Sequence, residues 1–291
     1  MKKTVTHKYL KRQFEIFDET DDLTNLFAEL QFSTLLLPQE SESKNLAFPV
    51  IHVDDKKYAP VFTDVHEYDK MGFGDLFTLA PHEFGFYLDL LDEDIDGIII
   101  DMEGERFPLF KEVENFIKPL NKNKNQNSLT SAEIRKIKDS ISNTDLEEFL
   151  GDESNHWDYE NLLNLLLKSD LINVVLSRED LSDKAEAGMI SLEDIGNLPS
   201  ALTNSFTENY ALLYTSEREV IPKINPMHPY LQLVNLPEFI ESVLLNDLDG
   251  IVLNENSQNI HIPREYLIDF IKVHPTIIPE NYDDYAFVLG C

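Results

Sequence analysis

The residues most suggestive of chemistry lie between positions 92 and 103. Asp92-x-Asp94-x-Asp96-Gly97, with Glu103 in twelfth place, fills the oxygen positions of a calcium-loop pattern. Three carboxylates and a bidentate glutamate suit a hard dication. Two features weigh against that use. An EF-hand loop leads into a helix, whereas Gly104 and Pro108 follow here. The corresponding stretch later in the chain has Leu245 in first place and Asn256 in twelfth. The expected role is a turn that feeds a strand, with Asp96-Gly97 supplying the turn chemistry. No metal or other cofactor is expected.

Other chemistries lack their residues. The eight histidines, at 7, 52, 66, 82, 156, 228, 261 and 274, make no H-x-x-x-H or H-E-x-x-H pattern. Cys291 is the sole cysteine, so neither a zinc site nor an internal disulfide can be built from thiols. His52 and His261 alternate with apolar residues and read as half-exposed strand positions. The chain has no G-x-S-x-G elbow, P-loop or G-x-G-x-x-G. Tyr58, Thr63, Tyr210 and Thr215 recur at matched spacing and could line a pocket, although packing is the commoner use of such strand residues. Asn225-Pro226-Met227-His228-Pro229-Tyr230 reads as a proline-fixed loop whose Tyr230 could anchor a partner; a plain connection is the alternative.

The elements that must carry these residues repeat. Tyr58-Ala59-Pro60-Val61-Phe62-Thr63 matches Tyr210-Ala211-Leu212-Leu213-Tyr214-Thr215, and Glu67 and Glu219 follow four residues after each threonine. Asp94-Ile95-Asp96-Gly97-Ile98 matches Asp247-Leu248-Asp249-Gly250-Ile251, Phe107-Pro108 matches Ile262-Pro263, and Phe116-Ile117 matches Phe270-Ile271. Four blocks in one order predict two tandem homologous units. Each is expected to run α-β-β-β-α-β-β-α, with hairpins outnumbering crossovers. The fold class is therefore α+β, a mixed or largely antiparallel sheet flanked by helices. Strands are expected at Thr34–Leu37, Ile172–Leu176, Gly97–Ile100 and Gly250–Leu253. Helices are expected at Pro81–Leu91, Leu236–Leu245, Lys111–Ile117 and Arg264–Ile271.

This gives a loose N-terminal arm over 1–21, a first repeat over 22–118 and a polar linker over 119–156. A second repeat covers 157–273 and a C-terminal tail 274–291. Within the linker, Asn121–Ser128 is low-complexity, and Ser131–Leu150 reads as a short surface helix with Glu133, Lys136 and Lys138 outward. The tail is expected to pack back on the second repeat.

Charge bounds the partners. Lys and Arg number 24 against 54 Asp and Glu, a formal net charge of −30. Such a field repels nucleic-acid backbones and anionic lipid and attracts basic proteins or cations. No stretch is long and apolar enough for a membrane span, and no secretory leader is evident at the N-terminus. The expected compartment is the cytoplasm.

The blocks resemble the SseB family of enhanced serine sensitivity proteins. Tyr58-Ala59-Pro60-Val61-Phe62-Thr63-Asp64 is similar to that family's strand ending in P-V-F-T. Asp96-Gly97-Ile98-Ile99-Ile100 is similar to its G-[IV]-x-[IV]-N strand; Asp101 departs from the asparagine that Gly250-Ile251-Val252-Leu253-Asn254 supplies. The resemblance implies a tandem fold and no reaction. Function is expected to be a non-enzymatic acidic module that binds a protein partner, a basic one on charge grounds. An immunity-type or nucleic-acid-mimicking inhibitor of a basic enzyme is one alternative. A ligand-binding or hydrolytic enzyme with an unrecognised site between the repeats is the other.

Overall fold

The structure is a computed structural model. It describes residues 7–20, 24–40, 47–53, 56–73, 76–90, 95–101, 107–108, 123–125, 128–191, 200, 202–204, 208–220, 227–274, 277–279 and 285–289. The chain divides into two compact units, Met1–Pro119 and Leu120–Cys291. Both are α+β.

The first unit opens with α1 (Lys8–Thr20) and α2 (Thr24–Gln31). Leu10, Phe14 and Phe17 recur at i, i+4 and i+7, which aligns them on one helix face. Leu10 and Phe14 are buried in one cluster with Leu26, Leu30, Leu35 and Phe84. The loose arm expected over 1–21 is thus a packed helix from Lys8 onward: an apolar stripe decides its placement, while Lys8 and Arg12 stay exposed.

The strands of this unit are β1 (Thr34–Gln39), β2 (Ile51–Val53), β3 (Lys56–Val61), β4 (Thr78–Glu83), β5 (Gly97–Ile100) and β6 (Phe107–Pro108). Helices α3 (Val65–Lys70) and α4 (Phe84–Leu90) lie between them. One sheet runs β2-β3-β5-β6, with β3 and β5 parallel, and β1 pairs antiparallel with β4. A Leu36–Phe62 bridge joins β1 to the end of β3.

The helix expected from Pro81 begins instead at Phe84, because Thr78–Glu83 is strand. Leu36 uses its N–H and carbonyl on Phe62 at 2.8 and 2.9 Å. Pro81, opposite Leu36, therefore sits where the ladder asks for no N–H.

The second unit is built on an eight-stranded sheet, preceded by the short β7 (Asn123–Asn125). Three helices follow β7: α5 (Ser131–Asp139), α6 (Thr144–Leu150) and α7 (Tyr159–Leu166). Then come β8 (Leu171–Ser177), β9 (Met189–Ser191), β10 (Leu202–Asn204), β11 (Asn209–Tyr214) and β12 (His228–Val234). Helix α8 (Leu236–Leu245), β13 (Gly250–Leu253), β14 (Ile260–Pro263), α9 (Arg264–Ile271), β15 (Ile277–Pro279) and β16 (Tyr285–Val288) complete it. The sheet order is β14-β13-β11-β8-β12-β16-β9, with β10 on β11. The tail 274–291 supplies β16 to this sheet, and Ala286 and Phe287 are buried.

Alternation splits the sheet into two faces. Ile172, Val174, Leu212, Leu231 and Val252 share a cluster with Ile134 of α5. Their neighbours Leu171, Leu213, Ile251 and Leu253 point the other way and are buried too, on the side where α8 and α9 pack on β13. The linker expected over 119–156 therefore contributes part of a core. Lys138, expected outward, is 7% exposed in its side chain, 3.4 Å from Glu217, with its ammonium 5.7 Å from the Phe287 ring centre. Within the low-complexity run, Asn123–Asn125 pairs parallel with β15.

Considered separately, the two units follow one strand path. It is β4-β1-β3-β5-β6 in the first, counting the bridge, and β12-β8-β11-β13-β14 in the second. Tyr58 stands opposite Gly97 as Tyr210 stands opposite Gly250. One alignment shifts. Phe107 faces Ile100 as Ile260 faces Leu253, so Phe107-Pro108 occupies the place of Ile260-His261, not of Ile262-Pro263.

Candidate functional site

The polar residues that recur in the sequence converge on the ends of the parallel strand pair. In the first unit, Asp96 accepts from the Lys57 N–H at 2.7 Å and returns its own N–H to the Lys57 carbonyl at 2.7 Å. At the other end, Asp101 accepts from the Thr63 N–H at 2.9 Å and from Thr63 Oγ1 at 2.5 Å. Asp101 adopts a φ of 49°, which an aspartate tolerates better than most residues.

The second unit repeats the arrangement with an amide. Asp249 accepts from the Asn209 N–H at 2.6 Å. Asn254, also at φ 49°, accepts from the Thr215 N–H at 3.0 Å, and its Nδ2 donates to Thr215 Oγ1 at 3.0 Å and to Gln258 at 2.9 Å.

A second pair of positions corresponds. His7, just before α1, bonds the Thr34 carbonyl through Nε2 at 2.6 Å. Asn143, just before α6, donates to the Asp170 carbonyl at 2.9 Å. Thr34 precedes Leu35 of β1 as Asp170 precedes Leu171 of β8. Asn143 also reaches the Thr215 carbonyl at 2.7 Å, tying α6 to the closure.

Electrostatics differ between the two closures. Burial pushes the Asp101 carboxyl above the usual carboxylate range; the Thr63 hydrogen bonds oppose that shift and nearby Glu67 adds to it. Burial acts upward on Asp64 as well, but the Lys11 ammonium at 2.6 Å and the Glu67 N–H outweigh it and hold Asp64 low. Lys70 pairs with Glu67 at 2.7 Å. These bonds close strands and cap α3. Thr63 and Thr215 are buried and already bonded, so neither hydroxyl faces solvent.

The residues expected at a pocket or interface divide accordingly. Tyr58, Thr63 and Thr215 are buried. Tyr230 is not a loop tip: it lies inside β12, and its hydroxyl accepts from the Leu181 N–H at 2.6 Å. Pro229 fits there because β12 pairs at that residue with β8 alone, β16 joining from Tyr230 onward. Tyr210 is half-buried and packs edge-on against His261 at 4.9 Å between ring centres. Burial, then Glu208, pushes its phenol up to about 12. Of the proposed calcium ligands, Asp92, Asp94 and Glu103 lie outside the described residues, and Asp96 is bonded to backbone. Among the described residues, no three His, Cys, Asp or Glu side chains are grouped so as to hold a metal ion, and no helix is long and apolar enough to cross a membrane.

Sequence reasoning passed over one surface. Trp157, the sole tryptophan, is 79% exposed. Its ring centre lies 6.4 Å from that of Tyr159, which lies 4.5 Å from that of Tyr266. Burial, then Tyr266 and Glu265, raises the Tyr159 phenol above its ordinary range. The legible signal was His156-Trp157-Asp158-Tyr159-Glu160, an aromatic pair set among acids.

Comparison with known proteins adds little. No family model matches the chain, and no curated protein matches it. Among solved structures, Tic22 from Plasmodium falciparum aligns over 85% of this chain and 96% of its own, at 7% identity and a TM-score of 0.18. A likeness that weak carries no argument about fold or function.

Proposed function

We propose that the protein is a non-enzymatic binding module, two diverged copies of one α+β unit whose acidic surface takes a basic protein partner. One observation carries the reading. A net charge of −30 is borne by a chain whose matched polar side chains are engaged within its own fold. Charge of that size steers and selects a partner of opposite sign.

Duplication is supported by the common strand path, the matched Tyr–Gly register and the two closures at Thr63 and Thr215. The matched bonds of His7 and Asn143 support copies that start at those residues, ahead of the 22 and 157 that sequence similarity alone suggests. Kinship with the SseB family belongs to the same proposal.

The test is affinity capture from source-cell lysate, followed by titration of each captured protein, purified, against the intact chain. The expected partner is basic, and its affinity falls as salt rises from about 0.05 to about 0.3 M. If no captured protein binds saturably in the purified system, or binding ignores salt, the proposal fails.

A further inference from the structure

Trp157 closes a short 3-10 turn, Glu153–Trp157, that is fastened on both sides. Asp152 accepts from the Ser154 N–H at 3.0 Å, Asn155 donates to the Phe149 carbonyl at 3.1 Å, and His156 Nε2 bonds the Leu150 carbonyl at 2.9 Å. Asp158 then caps α7 through the Asn161 N–H at 3.3 Å. The indole is therefore held in water by a fixed frame. A large aromatic surface left exposed in this way marks an interaction site.

Tyr159, 8% exposed, is the buried ring beneath this surface, and it packs against Tyr266, itself 43% exposed. The exposed charges that flank it in sequence are carboxylates, whereas the neighbouring Arg264 is 3% exposed and turned to the Leu244 and Leu248 carbonyls. Between Lys138 and Lys168 the chain has no Lys or Arg, and Asp158 and Glu160, which flank Tyr159, are exposed. Glu265, next to Tyr266, is exposed as well.

These features select a ligand chemistry. A purely apolar partner would strip water from carboxylates and return nothing to them. An anionic partner would be repelled. A guanidinium meets both requirements: it stacks on an aromatic face and offers paired N–H donors to a carboxylate. An ammonium is more strongly hydrated and lacks the plane.

We infer that the exposed Trp157 and Tyr266, backed by the buried Tyr159 and flanked by Glu160 and Glu265, form a docking site for an arginine-bearing basic segment of a protein partner. This rests on the acidic-module reading above and names the side chain that the module takes.

The test uses the full chain and labelled Arg-Gly, Lys-Gly and Glu-Gly repeat peptides, followed by fluorescence anisotropy at low salt. Trp157 emission is a second readout, and it reports this site alone because the chain has no other tryptophan. The Arg-Gly peptide is expected to bind saturably and to shift that emission, with the Lys-Gly peptide weaker by about threefold or more. Trp157→Ala is expected to weaken Arg-Gly binding about fivefold to tenfold, and Glu265→Gln about twofold to threefold. Both side chains are exposed, and an unchanged circular dichroism spectrum confirms that the fold is kept. Equal binding to wild type and Trp157→Ala overturns this site while leaving the acidic module standing. Equal affinity for the Arg and Lys peptides overturns the guanidinium assignment. Binding of neither basic peptide overturns the docking site, while the acidic-module reading is decided by the capture experiment.

Discussion

Asn254→Asp is the sharpest probe of the strand closure, because it exchanges one NH2 group for an oxygen. Asn254 is 1% exposed, and its Nδ2 donates to Thr215 Oγ1 and to Gln258 Oε1. With a carboxylate in place, the Thr215 hydroxyl can turn and donate, as Thr63 does to Asp101. Gln258 cannot adapt as easily. Its Oε1 lies 2.6 Å from Ser257 Oγ, so turning the amide requires that hydroxyl to accept instead and to give its proton to Glu219. One hydrogen bond is lost, about 1 kcal/mol, and a carboxylate charge is buried in place of a neutral amide, about 1–3 kcal/mol more. The sum is about 3 kcal/mol, or about 1.5 M in the urea midpoint of the second unit for an m-value of about 2 kcal/mol/M.

The sign with pH follows. Burial raises the folded-state pKa of the introduced carboxyl above its unfolded value. The destabilisation relative to wild type is then full above the folded pKa and shrinks as pH falls through it. Urea titrations of variant and wild type at neutral pH and near pH 4.5 measure both quantities. A midpoint shift below about 0.3 M at neutral pH, or one that is the same at both pH values, would refute the reasoning. The reciprocal change, Asp101→Asn, removes a charge that burial already disfavours and supplies a donor to Thr63. It is expected to be neutral or stabilising by about 1 kcal/mol at most.

Further outcomes follow from named contacts. Ile134→Ala, in the segment that sequence treats as linker, is expected to lose about 2–5 kcal/mol in urea unfolding of the second unit, because Ile134 is fully buried; a detached helix would lose almost nothing. Arg264→Met removes a buried guanidinium that donates to the Leu248 carbonyl at 3.0 Å and the Leu244 carbonyl at 3.1 Å, at the end of α8. About 3 kcal/mol and several degrees of melting temperature are expected to go, with poor rescue by lysine, whose single ammonium lacks the fork. His7→Gln is expected to flatten the acid limb of first-unit stability between about pH 6.5 and pH 4, read by urea titration across that range.

Sequence showed the elements whose periods are clean. Leu236–Leu245 is helix with the bounds expected, and Gly250–Leu253 and Gly97–Ile100 are the strands expected, although Gly97 and Gly250 are paired inside the ladder and do not form the Asp-Gly turns expected of them. Period is local, so it can be read locally. What could not be read locally was the parallel pairing of β3 with β5, which depends on a crossover through α3, β4 and α4. Prolines misled twice. Pro81 looked like a helix start and Pro229 like a loop, whereas both sit in strands at places that need no N–H. The basic residues of α1 obscured the Leu10, Phe14 and Phe17 stripe. Recurrence marked Thr63 and Thr215 correctly as a matched pair, but it could not tell a pocket from a strand closure, since burial is a property of the assembled sheet.

The matched positions also explain why the two units should answer differently to acid. At two corresponding places the first unit uses a titratable group, His7 and Asp101, where the second uses an amide, Asn143 and Asn254. Burial lowers His7 to about 4 despite its bond to the Thr34 carbonyl. The unfolded chain therefore takes up that proton first, near pH 6.5, and the first unit loses stability as pH falls from there through about 4. The full loss is about 3 kcal/mol. Asp101 works in the opposite sense: its folded pKa is raised, so protonation relieves the first unit as pH falls through that value. A His7→Gln, Asp101→Asn double variant should remove both slopes and give the first unit the acid response that the second unit's amides already have at these two positions. Should the double variant keep the wild-type acid limb, that limb arises elsewhere in the unit and the correspondence of His7 with Asn143 has no energetic meaning.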